Sequence, residues 1–258
     1  MTNDVPQPAA SSLDSPLWVI VPAAGSGQRL GGGTLAKQYR LLDGVAMLQR
    51  TIERMLQVPG VEGVVIVVAP DDEHWQLLCD DLPKNVHSTI GGTTRAESVL
   101  AGIQYVLSKA PENAWLLVHD AARPLVAVSD VQRLTNAVYN SGATGGLLAT
   151  RVQDTLKRCH EYYTVGQTVE RVDLWQAQTP QLFRAGELNE ALQVAITTHA
   201  DSVTDESSAM ELAGHTPLLV EALKANFKIT RPVDWDMASA LIQAERLNKG
   251  INQGQQSS

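Results

Sequence analysis

The residues most able to do chemistry begin in a short stretch near the start of the chain. Residues 19–30 read Val-Ile-Val-Pro-Ala-Ala-Gly-Ser-Gly-Gln-Arg-Leu, and Gly31, Gly32, Gly33 and Lys37 follow. An apolar run that empties into a glycine-rich turn frees backbone N–H groups for phosphate oxygens. Arg29 and Lys37 add positive charge that amides alone do not match. Nucleotide handling is the chemistry this implies. Two familiar phosphate loops fail to match: Thr34 follows Gly33 where a P-loop needs lysine, and Leu30 stands where a dinucleotide fingerprint needs its third glycine. A plain strand-to-helix turn fits the same residues, so the loop alone leaves both readings open.

His119-Asp120-Ala121-Ala122-Arg123-Pro124 is the second signal. A carboxylate at the end of a buried strand, followed by two small residues and an arginine, can hold a divalent cation or a substrate hydroxyl while Arg123 faces an anion. The alternative is a turn that Asp120 caps and in which Arg123 pairs with it. His119, a lone histidine at a strand end, reads as structural. Gly91, Gly92, Thr93, Thr94 and Arg95 lead into a helix whose unpaired N–H groups suit an acceptor on a base, ribose or phosphate. Thr94 with Glu97 reads equally as a capping box, and both roles can hold at once. Later stretches at 153–157, 168–171, 204–206 and 228–232 carry charges and hydroxyls that composition alone does not single out; 204–206 reads as a helix start.

These residues need a frame, and the hydrophobic pattern supplies one. Runs rich in Val, Ile and Leu at 18–21, 63–69, 114–119 and 145–149, with a shorter one at 87–90, suit strands buried on both faces. Helical patterns at 47–57, 96–108 and 128–140 alternate with them. The order is that of an α/β protein with a Rossmann-like, doubly wound, mostly parallel sheet. Ligands of such sheets bind outside the carboxyl ends of the strands, so the loops at 22–33, 91–95 and 120–123 should share one crevice. Residues 151–175 break the pattern with interspersed charge and the pair Tyr162-Tyr163, which suits a projecting β-arm used for dimerisation. Helices are expected again at 185–198, at 206–214 and after Pro232, with strand-like stretches at 217–221 and 226–229.

With 258 residues and 44% hydrophobic composition, the chain can bury a core. The expected organisation is a single domain over 17–247, with polar, disordered tails at 1–16 and 248–258. A net charge of −8 argues against general affinity for nucleic acid or an anionic membrane, so phosphate binding has to be local. Residues 1–16 lack the apolar core of a signal peptide, and no apolar run reaches membrane-spanning length. Cys79 and Cys159 show neither zinc spacing nor the density of a disulfide scaffold. A cytoplasmic location is the expectation.

From about Leu17 to Leu247 the chain resembles the 2-C-methyl-D-erythritol 4-phosphate cytidylyltransferases of the non-mevalonate isoprenoid pathway. The motifs that carry the resemblance run in order: Pro22-Ala-Ala-Gly-Ser-Gly-Gln-Arg29, Lys37-Gln-Tyr39, Gly91-Gly92 with Arg95-Ala-Glu-Ser98-Val-Leu-Ala-Gly102, and Val118-His-Asp-Ala-Ala-Arg-Pro124. Asp154-Thr155-Leu-Lys157, Gln178-Thr-Pro-Gln181, Thr204-Asp-Glu206 and Lys228-Ile-Thr-Arg-Pro232 complete the series. The resemblance implies in-line attack by a methylerythritol phosphate oxygen on the α-phosphorus of CTP, giving 4-CDP-2-C-methyl-D-erythritol and pyrophosphate. It implies that Pro22, Ala23, Ala24, Gly25 and Gly27 lie against the nucleotide, with Gly92 and Ser98 near cytosine and ribose and Ala121 near the sugar. Arg29 and Lys37 would hold the CTP phosphates and, with Asp120 and Lys228, form the catalytic set. Asp120, Arg123, Thr155, Thr204 and Lys228 would line the acceptor site, and Arg171 would reach the neighbouring site of a homodimer. Mg²⁺, or another divalent cation, is expected mainly on the CTP phosphates, with Asp120 the side chain offered as a ligand. The chain departs from the family pattern at Ala36, Thr93 and Val233, none of which removes a cation.

Two other functions fit part of the pattern. A ribitol-5-phosphate cytidylyltransferase, or another sugar-phosphate nucleotidyltransferase, would share the CTP loop and differ around Thr155, Arg171, Thr204 and Lys228. A non-catalytic nucleotide sensor would not need cations on both sides of the reacting phosphorus.

Overall fold

Strand periodicity sorts the apolar residues of this chain into two cores, one on each face of a sheet. The computed structural model describes residues 15–25, 35–199 and 202–255. Nearly all of the expected amino-terminal tail, Gly27 and Arg29 lie outside the described residues. In chain order the elements are β1 (Leu17–Pro22), β2 (Leu41–Leu42), β3 (Val45–Ala46), α1 (Met47–Leu56), β4 (Val61–Val68), α2 (Glu73–Cys79), β5 (Val86–Ile90) and α3 (Arg95–Leu107). Then come β6 (Trp115–Val118), α4 (Val128–Ser141), β7 (Gly145–Arg151), β8 (Leu156–Cys159), β9 (Val165–Val169) and β10 (Trp175–Arg184). The chain ends through α5 (Ala185–Thr198), α6 (Glu206–Leu212), β11 (Leu218–Glu221) and α7 (Pro232–Gln255).

The main sheet runs β11-β7-β10-β6-β1-β4-β5, parallel throughout except for β10, which is antiparallel to both neighbours. Leu17, Val19 and Val21 of β1, with Val64 and Ile66 of β4, point into one core; Trp18, Ile20, Val65 and Val67 point into the other. Helices α1 and α4 cover the first core with Leu48, Ile52, Leu134 and Val138, while α3 and α5 cover the second with Val99, Ile103, Leu188 and Leu192. Burial on both faces explains the continuous apolar runs that mark these strands in the sequence. Close approach of α3 to the sheet depends on Gly102, where a Cβ would sit 2.6 Å from the Ile20 Cγ2. A third cluster joins Ala238 and Ile242 of α7 to Leu42, Met47, Ala122, Leu125 and Ile229, and so fixes the loop after β6 from outside.

The sequence pattern misjudges three segments. β10 is a central strand whose first half reads Trp-Gln-Ala-Gln-Thr-Pro, so polar residues conceal its periodicity; only Leu182 and Phe183 carry the core signal. Residues 226–229 form no strand: Ile229 donates one backbone bond to the Ala122 carbonyl at 2.9 Å, and the Asn226 side chain donates to Gln178 and to the Thr179 carbonyl. α7 runs to Gln255, past the expected boundary at Leu247. Within 151–175, β8 and β9 pair as an antiparallel hairpin that leaves the sheet where β7 and β10 separate. Tyr162 and Tyr163 at its turn are 92% and 97% exposed.

A buried relay shapes the loop after β6. The Asp120 N–H donates to the Thr179 Oγ1 (3.0 Å), which lies 3.1 Å from the His119 Nδ1, and the His119 Nε2 is 3.1 Å from the Arg123 carbonyl. A carbonyl can only accept, so Nε2 carries the proton and Nδ1 accepts from the threonine hydroxyl. The neutral ring thereby pins both ends of the 120–123 turn. Burial pushes its pKa down from 6.5 to about 4.

Two stability outcomes follow. Phe183 is fully buried, and Phe183→Ala is expected to cost about 3–5 kcal/mol by urea denaturation; a loss under 1 kcal/mol contradicts its core role. Because His119 binds a proton more readily in the unfolded chain, its contribution is complete above pH 6.5 and is lost as pH falls toward 4, by about 3 kcal/mol. In His119→Gln this part of the slope is expected to vanish from a pH series of urea midpoints; an unchanged slope contradicts the assignment.

Candidate active site

Loops at the carboxyl ends of β1, β5 and β6 open onto one cavity of about 550 Å³, bounded also by the turn at Lys37 and the segment before α7. The volume suits a small-molecule substrate site. On the β1 side, Ala23 N–H donates to the Val67 carbonyl at 2.7 Å, and the Gln38 amide donates to the Ala23 carbonyl at 2.8 Å. These bonds tie the glycine loop to the short helical turn Lys37–Tyr39, which the Tyr39 hydroxyl anchors on Asp72 at 2.7 Å. Lys37 reaches across the cavity edge, its Nζ donating to the Ile229 carbonyl at 2.9 Å.

The β5 side ends at the N-terminus of α3. Thr94 and Glu97 form the capping box expected from their spacing, and the Thr93 hydroxyl joins the same Glu97 carboxylate. Ser98 donates to the Thr94 carbonyl at 2.9 Å. Its Oγ would lie 2.6 Å from any Cβ at position 91, so only glycine lets the loop pass this close to the helix.

At the centre stands Asp120, with its two oxygens divided between partners. Oδ1 accepts from the Arg95 Nε at 3.2 Å; Oδ2 lies 3.0 Å from the Lys228 Nζ and 3.4 Å from the Arg123 Nε. Burial alone would raise its pKa, but Arg95, Lys228 and Arg123 outweigh that and hold the carboxyl well below the usual range. Arg123 is fixed from behind by the Asn226 carbonyl at 2.7 Å. Arg95 continues to the buried Glu206 through Nη1 to Oε1 at 2.6 Å and Nη2 to Oε2 at 3.2 Å. Burial pushes the Glu206 carboxyl up, against the pull of Arg95.

Of the residues singled out in the sequence, Pro22, Ala23, Ala24, Gly25, Lys37, Gly92, Ser98, Asp120, Ala121 and Lys228 line this cavity. Arg123 does not line it; it braces Asp120 from the protein side. Thr155 and Arg171 are exposed on and beside the arm, and Thr204 caps the approach to α6, its N–H donating to the Ser208 Oγ at 3.0 Å; none of the three lines the cavity. Arg29 and Gly27 lie outside the described residues. Sequence reasoning missed the Arg95–Glu206 pair. One signal was available: an arginine in the first turn of a helix opposes the helix dipole and requires anions nearby.

Among the described residues, no cluster of three or more His, Cys, Asp or Glu side chains could hold a metal ion. Asp120, the ligand offered by sequence, already faces three cations. These side chains therefore do not fit a metal site held by protein groups alone. No described helix is long and apolar enough to cross a membrane.

Comparisons with known proteins agree with this geometry. The family model described as IspD, 2-C-methyl-D-erythritol 4-phosphate cytidylyltransferase, matches residues 17–244. The chain is 43% identical over 224 residues to the protein of that name from Stenotrophomonas maltophilia (strain R551-3), covering 87% of this chain and 95% of the relative. It is 43% identical over 232 residues to the one from Halorhodospira halophila, covering 89% and 95%. The crystal structure of the Francisella tularensis enzyme superposes with a TM-score of 0.76 at 32% identity, covering 87% of this chain and 98% of that one. With Ala23, Ala24, Gly25, Lys37, Asp120 and Lys228 gathered at the ends of this sheet, the chain belongs to the 2-C-methyl-D-erythritol 4-phosphate cytidylyltransferase family.

Proposed function

We propose that this cavity joins CTP to 2-C-methyl-D-erythritol 4-phosphate, with the nucleotide on the β1 and α3 side and the acceptor phosphate on the Lys228 side. The observation that carries this reading is that Lys37, Asp120 and Lys228 line one cavity, on a chain whose net charge is −8. Cations concentrated in one cleft of an acidic protein suit two polyanionic substrates.

In the reaction, an oxygen of the acceptor phosphate forms a bond to the α-phosphorus of CTP as the bond to the β-phosphate oxygen breaks, and pyrophosphate leaves. The nucleophile is already an anion, so no general base is required. The protein's work is to align two mutually repelling anions and to offset charge as it moves onto the leaving group. Lys37, with Arg29 from the same loop, is assigned to the triphosphate. Lys228 is assigned to the acceptor phosphate, for which it exchanges part of its contact with Asp120. Because the described side chains alone do not build a metal site, Mg²⁺ or another divalent cation is assigned to the CTP phosphates.

Arg171 and Thr155 sit away from their own chain's cavity, and the neighbouring hairpin exposes Tyr162 and Tyr163. Exposed aromatics on a projecting hairpin suit burial against a second copy. A homodimer in which Arg171 enters the partner's acceptor site accounts for both features. The free thiols Cys79 and Cys159 suit the reducing cytoplasm.

The acceptor assignment is tested by pyrophosphate release from CTP with methylerythritol phosphate, with ribitol 5-phosphate and with neither. Release specific to methylerythritol phosphate is expected; release with neither acceptor overturns the reading, and preference for ribitol 5-phosphate moves the chain to the wall-polymer relatives. Lys37→Ala is expected to lower kcat about 100-fold or more while changing the KM for CTP much less, because its contact strengthens as the leaving group gains charge. Near-normal kcat contradicts that role.

A further inference from the structure

We infer that Glu206 is a positioning residue for the acceptor side of the site: by clamping Arg95 it confines that guanidinium to one oxygen of Asp120 and leaves the other to aim Lys228. The inference rests on the assignment of Lys228 to the acceptor phosphate.

The geometry separates this from simple helix capping. α6 is already capped by Asp205, which accepts from the Ser208 N–H at 2.9 Å, and Gln181 accepts from the Ser207 N–H at 2.7 Å. The Glu206 side chain is 1% exposed, and both of its carboxylate oxygens accept from Arg95, in the two-point geometry that fixes a guanidinium in position as well as in charge. Arg95 then presents its Nε edge to the Asp120 Oδ1 and cannot rotate to span both oxygens. The Asp120 Oδ2 is left to Arg123, itself held by the Asn226 carbonyl, and to Lys228, the most exposed of the three cations at 41%. Lys228 is therefore the member of the cluster free to exchange its carboxylate contact for an incoming phosphate. The contacts Glu206–Arg95–Asp120–Lys228 balance two positive against two negative charges, and Arg123 on the protein side adds a third cation.

Without the Glu206 charge, Arg95 can form its fork with Asp120 alone and displace Lys228 from Oδ2. The effect is specific: acceptor kinetics should suffer while the nucleotide, assigned to the β1 loop with Gly92 and Ser98, binds as before.

The test compares Glu206→Gln, Lys228→Ala and the double variant of the full-length protein, with steady-state kinetics for both substrates, calorimetric CTP binding and thermal midpoints. Glu206→Gln is expected to lower kcat/KM for methylerythritol phosphate about tenfold, with the Kd for CTP within about twofold of wild type. The double variant should be no worse than Lys228→Ala alone, because Glu206 acts through Lys228. Equal losses for both substrates, or an additive double variant, overturn the inference. If Glu206→Gln does not fold, Glu206→Asp keeps the charge but draws the carboxylate back from its two-point contact with Arg95, and should give the same selective acceptor loss; a uniform loss or none overturns the inference. If Lys228→Ala leaves acceptor kinetics unchanged, the acceptor assignment falls and this inference with it. If Lys228→Ala impairs them and Glu206→Gln does not, only the role of Glu206 falls.

Discussion

Asp120 divides its two carboxylate oxygens, one to Arg95 and one to Lys228 and Arg123, and the arrangement of the site depends on that division. Oδ1 faces Arg95, which Glu206 locks from behind; Oδ2 faces Lys228 at the cavity and Arg123 against the protein. One buried negative charge thus keeps three cations within reach of one another without letting them repel the loop apart. A buried charge left without partners would be costly, and the ionised state of Asp120 is secured by its neighbours. The result is a positively biased cleft in a protein of overall negative charge, set where two phosphate-bearing substrates have to meet.

The rest of the fold maintains this geometry. Asp120 follows a strand buried on both faces, so its backbone cannot drift, and the Thr179–His119 relay fixes the turn that carries Arg123. The relay requires β10 beside β6, which gives the antiparallel strand in an otherwise parallel sheet a direct bearing on the site. Ile229 is buried in the cluster built by α7, so Lys228 enters from a segment anchored on both sides. Lys37 binds the carbonyl of that same Ile229. Lys37 and Lys228 are therefore coupled through one residue's backbone, and neither cation is carried on an independent loop.

Much of this was legible in the sequence, for identifiable reasons. Strands buried on both faces write continuous apolar runs, and residues just past their ends, Pro22, Gly92 and Asp120, mark the rim of the cavity without any knowledge of pairing. Tyr162-Tyr163 and the scattered charges around them announced a segment outside the core, and it is a hairpin. What stayed hidden was held by side chains. β10 begins with polar residues that bond across to other elements, Gln178 to Asn226 and Gln181 to Asp205, so its first half lacks a strand signature. Residues 226–229 alternate like a strand because Phe227 and Ile229 are apolar and two apart, yet the segment is held by Asn226, buried to hydrogen-bond, and Ile229, buried to pack. The Arg95–Glu206 pair joins residues 111 positions apart, a separation that no local pattern encodes.

The organising role of the Asp120 charge is open to one direct measurement, the single-turnover rate of Asp120→Asn together with calorimetric binding of methylerythritol phosphate in the presence of a non-reacting CTP analogue. The variant keeps the side chain's size and removes its charge. The expected result is a rate at least about 100-fold below wild type with acceptor binding retained or tightened, since the cations lose the anion that orients them but not their attraction for phosphate. A rate within a few-fold of wild type would contradict the account.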